Sequence, residues 1–227
     1  MKPGQDLTRK EIAGMIDHAL LKPQHTVDEL ESGCAEALEL GVASVWILPH
    51  YLSRCASILR GSGVAASTVI GFPHGTQAPG ARLAEVEQAL EDGGEELDVV
   101  VNVSRVVSGD WAFVRDDLAP MVGLTHGAGR KIKIIFENAY LNENQKIRLC
   151  EVCSELEVDW VKTSTGFGPG GATAADLQLM VDHTPPAIAV KASGGLRELK
   201  TLLRFYEIGA NRFGASGTRA ILDQIEV

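Results

Sequence analysis

The chain has 227 residues, 45% hydrophobic and 22% charged, an ordinary balance for one large globular domain or two small ones. Its formal net charge of −9 argues against a nucleic-acid partner, because a phosphate backbone demands a basic footprint. No apolar run reaches the ~20 residues of a membrane span, and the N-terminus lacks the apolar stretch of a signal peptide, so a cytoplasmic protein with no membrane partner is expected.

In chain order, a short helix is predicted over residues 8–13, before the first strand. Strands are predicted at 15–21, 44–48, 66–72, 97–103, 131–137, 160–164, 187–192 and 212–215. Helices are predicted between several of them, at 26–40, 78–92, 142–156, 173–181 and 197–208. The first of these five opens with Thr26 and Glu29 at capping-box spacing and closes at Gly41. Strict β-α alternation indicates a parallel sheet. Eight such units, with no Pro-, Ser- or Gly-rich linker, predict a single-domain (β/α)8 TIM barrel across residues 1–227. A doubly wound dinucleotide fold is disfavoured, because no G-x-G-x-x-G follows the first strand. Gly166-Phe167-Gly168 follows the sixth strand, the wrong place for that motif.

Two apolar runs each end in a lysine followed by a Gly-containing turn: Asp159-Trp160-Val161-Lys162 and Ala187-Ile188-Ala189-Val190-Lys191. Lysine is rarely buried without a partner. Two such strands bring two amines together, and burial plus a neighbouring ammonium lowers a lysine's proton affinity. A lysine neutral near pH 7 attacks carbonyl carbon and forms a Schiff base. Period-two alternation puts Asp98, Val100 and Asn102 on one face of the fourth strand, and Lys133, Ile135 and Glu137 on the inner face of the fifth. Lys162 shares a face with Ser164, and Lys191 with Ser193. A barrel interior receiving at least three lysines and two acids must pair them. Stability alone is better served by apolar layers, so the cluster reads as a functional site.

Glycine-rich turns follow strands six, seven and eight: Thr165-Gly166-Phe167-Gly168, Ser193-Gly194-Gly195 and Gly214-Ala215-Ser216-Gly217. Barrels commonly hold phosphate there, and Ser216 offers both a hydroxyl and an N–H. A small phosphorylated molecule is therefore compatible with the acidic chain. Cys150 and Cys153 form a C-x-x-C without a second pair or a histidine set, which reads as helix packing. None of the six histidines forms H-x-H or H-E-x-x-H. His74, after the third strand, falls at the rim of the barrel.

The segments 16–23, 68–73, 96–100, 161–167, 190–195 and 212–216 together resemble the deoxyribose-phosphate aldolase family, in order and over roughly residues 8–220. The resemblance implies a metal-free class I aldolase that needs no cofactor. It would reversibly cleave the phosphosugar 2-deoxy-D-ribose 5-phosphate to D-glyceraldehyde 3-phosphate and acetaldehyde. By motif position it makes Lys162 the Schiff-base lysine and Lys191 the charge that keeps it deprotonated. Asp98 becomes the proton-transfer acid and Asp17 its support on the first strand. Thr165 matches a sugar-hydroxyl contact, and Gly166, Gly194, Gly195, Gly214 and Ser216 match the phosphate cradle. A homodimer is also implied.

The chain departs from the family pattern at Ala19, where threonine is usual, at Trp46, where cysteine is common, and at Asn138, where threonine is usual. It reads to Ile225-Glu226-Val227, without the C-terminal tyrosine that some members use in proton transfer. These departures leave open a different or unphosphorylated sugar. A non-catalytic phosphosugar-binding barrel is the reading from another class.

Overall fold

Residues 7–225 are described in a computed structural model. Residues 1–6 and 226–227 lie outside the described residues, and with them the signal-peptide reading and most of the missing-tyrosine reading. The chain opens with α1 (Arg9–Ala13), capped by a reciprocal Thr8–Glu11 box. Eight strands follow: β1 (Ile16–Leu20), β2 (Ser44–Ile47), β3 (Ala65–Ile70), β4 (Glu96–Val100), β5 (Lys131–Ile135), β6 (Trp160–Lys162), β7 (Ala189–Ser193) and β8 (Arg212–Ala215). They form a closed barrel in sequence order, every pair parallel. This is the (β/α)8 fold that the alternation predicted.

The helices on the outside are α2 (Val27–Leu40), α3 (Leu52–Leu59), α4 (Pro79–Glu91), α5 (Val103–Val107), α6 (Trp111–Gly127), α7 (Glu143–Glu155), α8 (Ala174–Asp182), α9 (Leu199–Ile208) and α10 (Thr218–Leu222). The Thr26–Glu29 capping box forms, and Gly41 ends α2 in the left-handed conformation. Helices α3, α5, α6 and α10 are additions to the predicted set; α3 has eight residues and no side-chain cap at its N-terminus. Helix α6 contains Pro120 and two glycines, which mask its period; α5 and α10 have five residues each.

Several strands stop short of their apolar runs. β4 ends at Val100 because Asn102 turns to cap α5, its side chain accepting from the Arg105 N–H. Asn102 therefore is not the inner-face residue that alternation gave. β5 ends at Ile135, and Glu137 adopts a positive φ of 56°, so alternation no longer governs it.

The core divides in two. One cluster, containing Val99, Val101, Ile132, Ile134 and Phe136, lies between barrel and helices. A smaller one, Leu21, Trp46, Val69, Val100 and Ile135, lies inside the barrel. The alternation in β4 and β5 is thereby met: odd and even positions go to different cores. All four cysteines are free and buried; burial pushes the Cys150 thiol up to about 11, as packing residues require. Among the described residues no helix is long and apolar enough to cross a membrane.

Candidate active site

Strand register brings the two lysines together. Lys162 of β6 and Lys191 of β7 are direct partners across the ladder, and Asp98 of β4 partners Lys133 of β5. Asp17, Asp98, Lys133, Lys162 and Lys191 are all wholly buried and form one charged layer across the barrel.

One carboxylate organises it. Oδ2 of Asp98 accepts from Nζ of Lys162 and from Nζ of Lys191, each at 2.7 Å. Its Oδ1 accepts from Nζ of Lys133 at 2.9 Å. Asp17 accepts from Lys191 through Oδ2, and from Ser44 and Arg212 through Oδ1 at 2.7 Å each. Glu96 closes the layer below, accepting from Lys133 at 2.5 Å and from Arg212 at 3.1 Å. Trp160 floors the barrel, with Lys133 and Arg212 over its ring at 5.4 and 4.9 Å.

The layer thus holds four basic groups (Lys133, Lys162, Lys191, Arg212) and three acidic ones (Asp17, Glu96, Asp98). Neutrality in a dry interior requires one amine to be uncharged. The environments identify which. Burial holds the Lys162 amine well below the ordinary lysine range, against the pull of Asp98 and helped by the charge of Lys191. Lys133 is also buried, but Asp98, Glu96 and Asp17 surround it and raise it above that range. Burial alone would push Asp98 up; the neighbouring lysine charges, that of Lys133 foremost, reverse this and hold it below the usual carboxylate range. Asp17 is held low in the same way by Lys191, Lys133 and Arg212.

Above this layer, at the carboxyl ends of the strands, lies a cavity of about 290 Å³. All six residues expected to hold sugar and phosphate line it: Thr165, Gly166, Gly194, Gly195, Gly214 and Ser216. Two glycines are required by their surroundings. Gly194 has a φ of 90°, and a Cβ there would lie 2.8 Å from the Cα of Gly171. A Cβ at Gly214 would strike the hydroxyl of Ser193. Lys22 and Arg197 add cationic side chains to the same lining.

The structure brings the two sets of expected residues near each other without joining them. Lys162, Lys191, Asp98 and Asp17 are absent from the cavity wall; Trp46 and Ala19 line it instead. The Thr165 hydroxyl is engaged by Glu137, which it contacts through a short hydrogen bond, and it accepts from the Phe167 N–H at 3.0 Å. Glu137 therefore braces the loop that carries Thr165 instead of joining the charged layer. Asn138 is buried and donates to the Met180 sulfur at 3.3 Å. His74 is exposed and does not line the cavity. Sequence reasoning missed Glu96 and Arg212. Both share a strand face with expected residues, Glu96 with Asp98 and Arg212 with Gly214, so extending the alternation one step down would have found them.

Comparison with known proteins identifies the family. A model of the DeoC/LacD family aldolases matches residues 10–224. A deoxyribose-phosphate aldolase of Rhodopirellula baltica is 54% identical over 219 residues, 96% of this chain and 91% of that one. The Thermococcus kodakarensis enzyme of the same name is 39% identical, covering 96% and 98%. Among solved structures, an aldolase called QR15 superposes with a TM-score of 0.89 at 35% identity, covering 94% and 95%. The tetrameric deoxyribose phosphate aldolase of Aeropyrum pernix gives 0.89 at 28%, covering 95% and 91%. The chain belongs to the DeoC/LacD family of aldolases.

Proposed function

We propose that this chain reversibly cleaves 2-deoxy-D-ribose 5-phosphate to D-glyceraldehyde 3-phosphate and acetaldehyde, with Lys162 as the Schiff-base nucleophile. The observation that carries this is the shared Asp98 oxygen. It holds two lysines at 2.7 Å each in a layer with one basic group too many, so one amine stays neutral and nucleophilic.

The chemistry follows from the groups. Neutral Lys162 adds to C1 of the open-chain aldehyde, and loss of water leaves an iminium. A base takes the proton of the C3 hydroxyl. The C2–C3 bond then breaks, its electrons pass to the iminium, and the C3 fragment departs as glyceraldehyde 3-phosphate. The enamine left on Lys162 takes a proton at C2, and water hydrolyses the resulting iminium, releasing acetaldehyde and the amine. Asp98, working through water or Lys191, is the proton carrier. Asp17 is a positioning residue that anchors Lys191. Gly166, Gly194, Gly195, Gly214 and Ser216 hold the phosphate, with Thr165 at the sugar.

Borohydride reduction in the presence of acetaldehyde tests the assignment: a stable ethyl adduct on Lys162 is expected, and an adduct confined to another lysine overturns it. A different sugar is favoured by one observation, the indole of Trp46 on the cavity wall beside Ala19. Cleavage rates on deoxyribose with and without its 5-phosphate decide between the two. A homodimer in a reducing cytoplasm completes the proposal. The four free buried cysteines suit that compartment, and sedimentation velocity reads the oligomeric state.

A further inference from the structure

The amine of Lys162 is covered. Its Nζ lies 3.1 Å from the centroid of the Trp46 ring, and Nζ of Lys191 lies 4.6 Å from the same ring. Lys162 has no exposed surface, and Trp46 itself is 3% exposed. The indole thus forms the floor of the cavity and the roof of the charged layer. A carbonyl carbon has to approach a bonding distance from Nζ, and the ring occupies the approach from the cavity side.

We infer that Trp46 is a movable cover on Lys162 that admits a carbonyl only when displaced, and that it thereby selects the aldehyde by size. The inference rests on Lys162 being the nucleophile. Three features of the site favour displacement. The indole Nε1 is buried with no hydrogen-bond partner, so the closed position leaves a donor unsatisfied, a state that costs free energy and is relieved on opening. The register partner of Trp46 on β1 is Ala19, which lines the cavity with it and presents only a methyl on that side. On the other side, Phe72 meets Trp46 edge to face at 5.8 Å, and Phe167 meets Phe72 in the same way at 5.2 Å. Phe167 is 45% exposed and lines the cavity. An aromatic chain therefore runs from the buried amine to the rim. Edge-to-face contacts add only modestly to the area they bury, so they guide the ring without locking it.

The cover also determines which part of the substrate meets the amine. The phosphate cradle and the indole are on one cavity wall and floor, so a phosphate seated among Gly194, Gly195 and Ser216 leaves the aldehyde end facing Trp46. Only a slim group passes a displaced indole. A carbonyl with a hydrogen and a narrow chain fits that description, whereas branching beside the carbonyl does not.

The test is the borohydride trapping rate on Lys162 for acetaldehyde and for isobutyraldehyde, in the unchanged protein and in the variants Trp46→Leu and Trp46→Phe. The ratio of the two rates is read within each protein, so it does not depend on how much of a variant is folded. Misfit of one methylene in a tight apolar pocket changes rates on the order of tenfold or more. Trp46→Leu is expected to raise the isobutyraldehyde-to-acetaldehyde ratio by at least about tenfold, with Trp46→Phe in between. An unchanged ratio in both variants, with the adduct still on Lys162, overturns the cover and leaves the nucleophile standing. An adduct on a different lysine in all three proteins overturns the nucleophile, and the cover with it.

Discussion

Replacing Lys191 with methionine removes one charge from the layer and little volume. Both lysines donate to a single oxygen of Asp98 at 2.7 Å, so their nitrogens are no more than about 5.4 Å apart. Two unit charges at that separation interact by about 3 kcal/mol at an effective dielectric of about 20. That repulsion disfavours the protonated form of Lys162 and is worth about two pH units. Asp98 keeps Lys133 as a partner at 2.9 Å, and Asp17 keeps Arg212 at 2.7 Å, so neither carboxylate is stranded. Asp98 then pulls on Lys162 with less opposition. The sign is fixed: with the repulsion gone, Lys162 holds its proton to higher pH, and activity appears later. The assay is kcat/KM for cleavage against pH, with the trapping rate on Lys162 measured in parallel. The acid limb of both profiles should move about two pH units to the alkaline side. A limb that stays in place, with trapping intact, would refute the view that Lys191 helps to keep the nucleophile neutral. Burial, the largest influence on Lys162, would then suffice alone.

Lys162→Met should abolish trapping and cleavage while raising the thermal midpoint at neutral pH. Lys162 holds its proton less tightly folded than unfolded, so between those two values stability rises with pH. The advantage of the variant should therefore shrink as pH approaches the ordinary lysine value of about 10.4, which melting curves at pH 7 and 10 would show. Asp98→Asn should have the opposite effect on stability, since breaking a buried ion pair costs about 3–5 kcal/mol, and urea titration at neutral pH checks it. Acid should weaken the unchanged protein for a related reason. Asp17 and Asp98 are held below the usual carboxylate range, so their contribution is present above about pH 4 and is lost as pH falls through the depressed values. Gly194→Ala must carry a Cβ against Gly171 at a φ of 90°; KM for the phosphorylated sugar should rise, with a smaller change for deoxyribose itself. Equal changes for both sugars would place the loop outside the phosphate site.

The barrel was legible because its signals repeat. Eight apolar runs, each ending in a turn, leave few topologies, and the capping box at Thr26 and the terminus at Gly41 mark α2 directly. The charged layer was legible for a different reason. A lysine on an apolar strand is costly unless paired, so Lys133, Lys162 and Lys191 each announce a partner. What alternation could not give is where each strand stops. Asn102 leaves the ladder to cap α5, and Glu137 turns out through a positive φ. Both are decided by hydrogen bonds to residues that follow or lie in the loop after another strand. The face of a residue was readable, but its height in the barrel was not, because height depends on the stagger between strands.

Trp46 illustrates the consequence of that height. Its size and its strand can be read from the sequence, but only the register with Ala19 and Ser67 puts it one step above Lys162. Trp46, Val69, Val100 and Ile135 form an apolar layer over the charges, and Trp160 lies beneath them. The charges are sealed between two aromatic planes. Water kept away from Lys162 cannot stabilise an ammonium there, so the same roof that covers the amine also weakens its hold on a proton. The face of the indole works in the other direction, since an aromatic ring attracts a cation by about 0.5–2 kcal/mol. Burial outweighs this: removing an ion from water costs several kcal/mol even after the interior relaxes. A smaller residue at position 46 should therefore have two separable effects. It should speed the entry of bulky aldehydes, and it should let water in and shift the onset of trapping toward alkaline pH. Faster entry with an unshifted onset would mean that water is excluded by Val69, Val100 and Ile135, and that Trp46 acts on size alone.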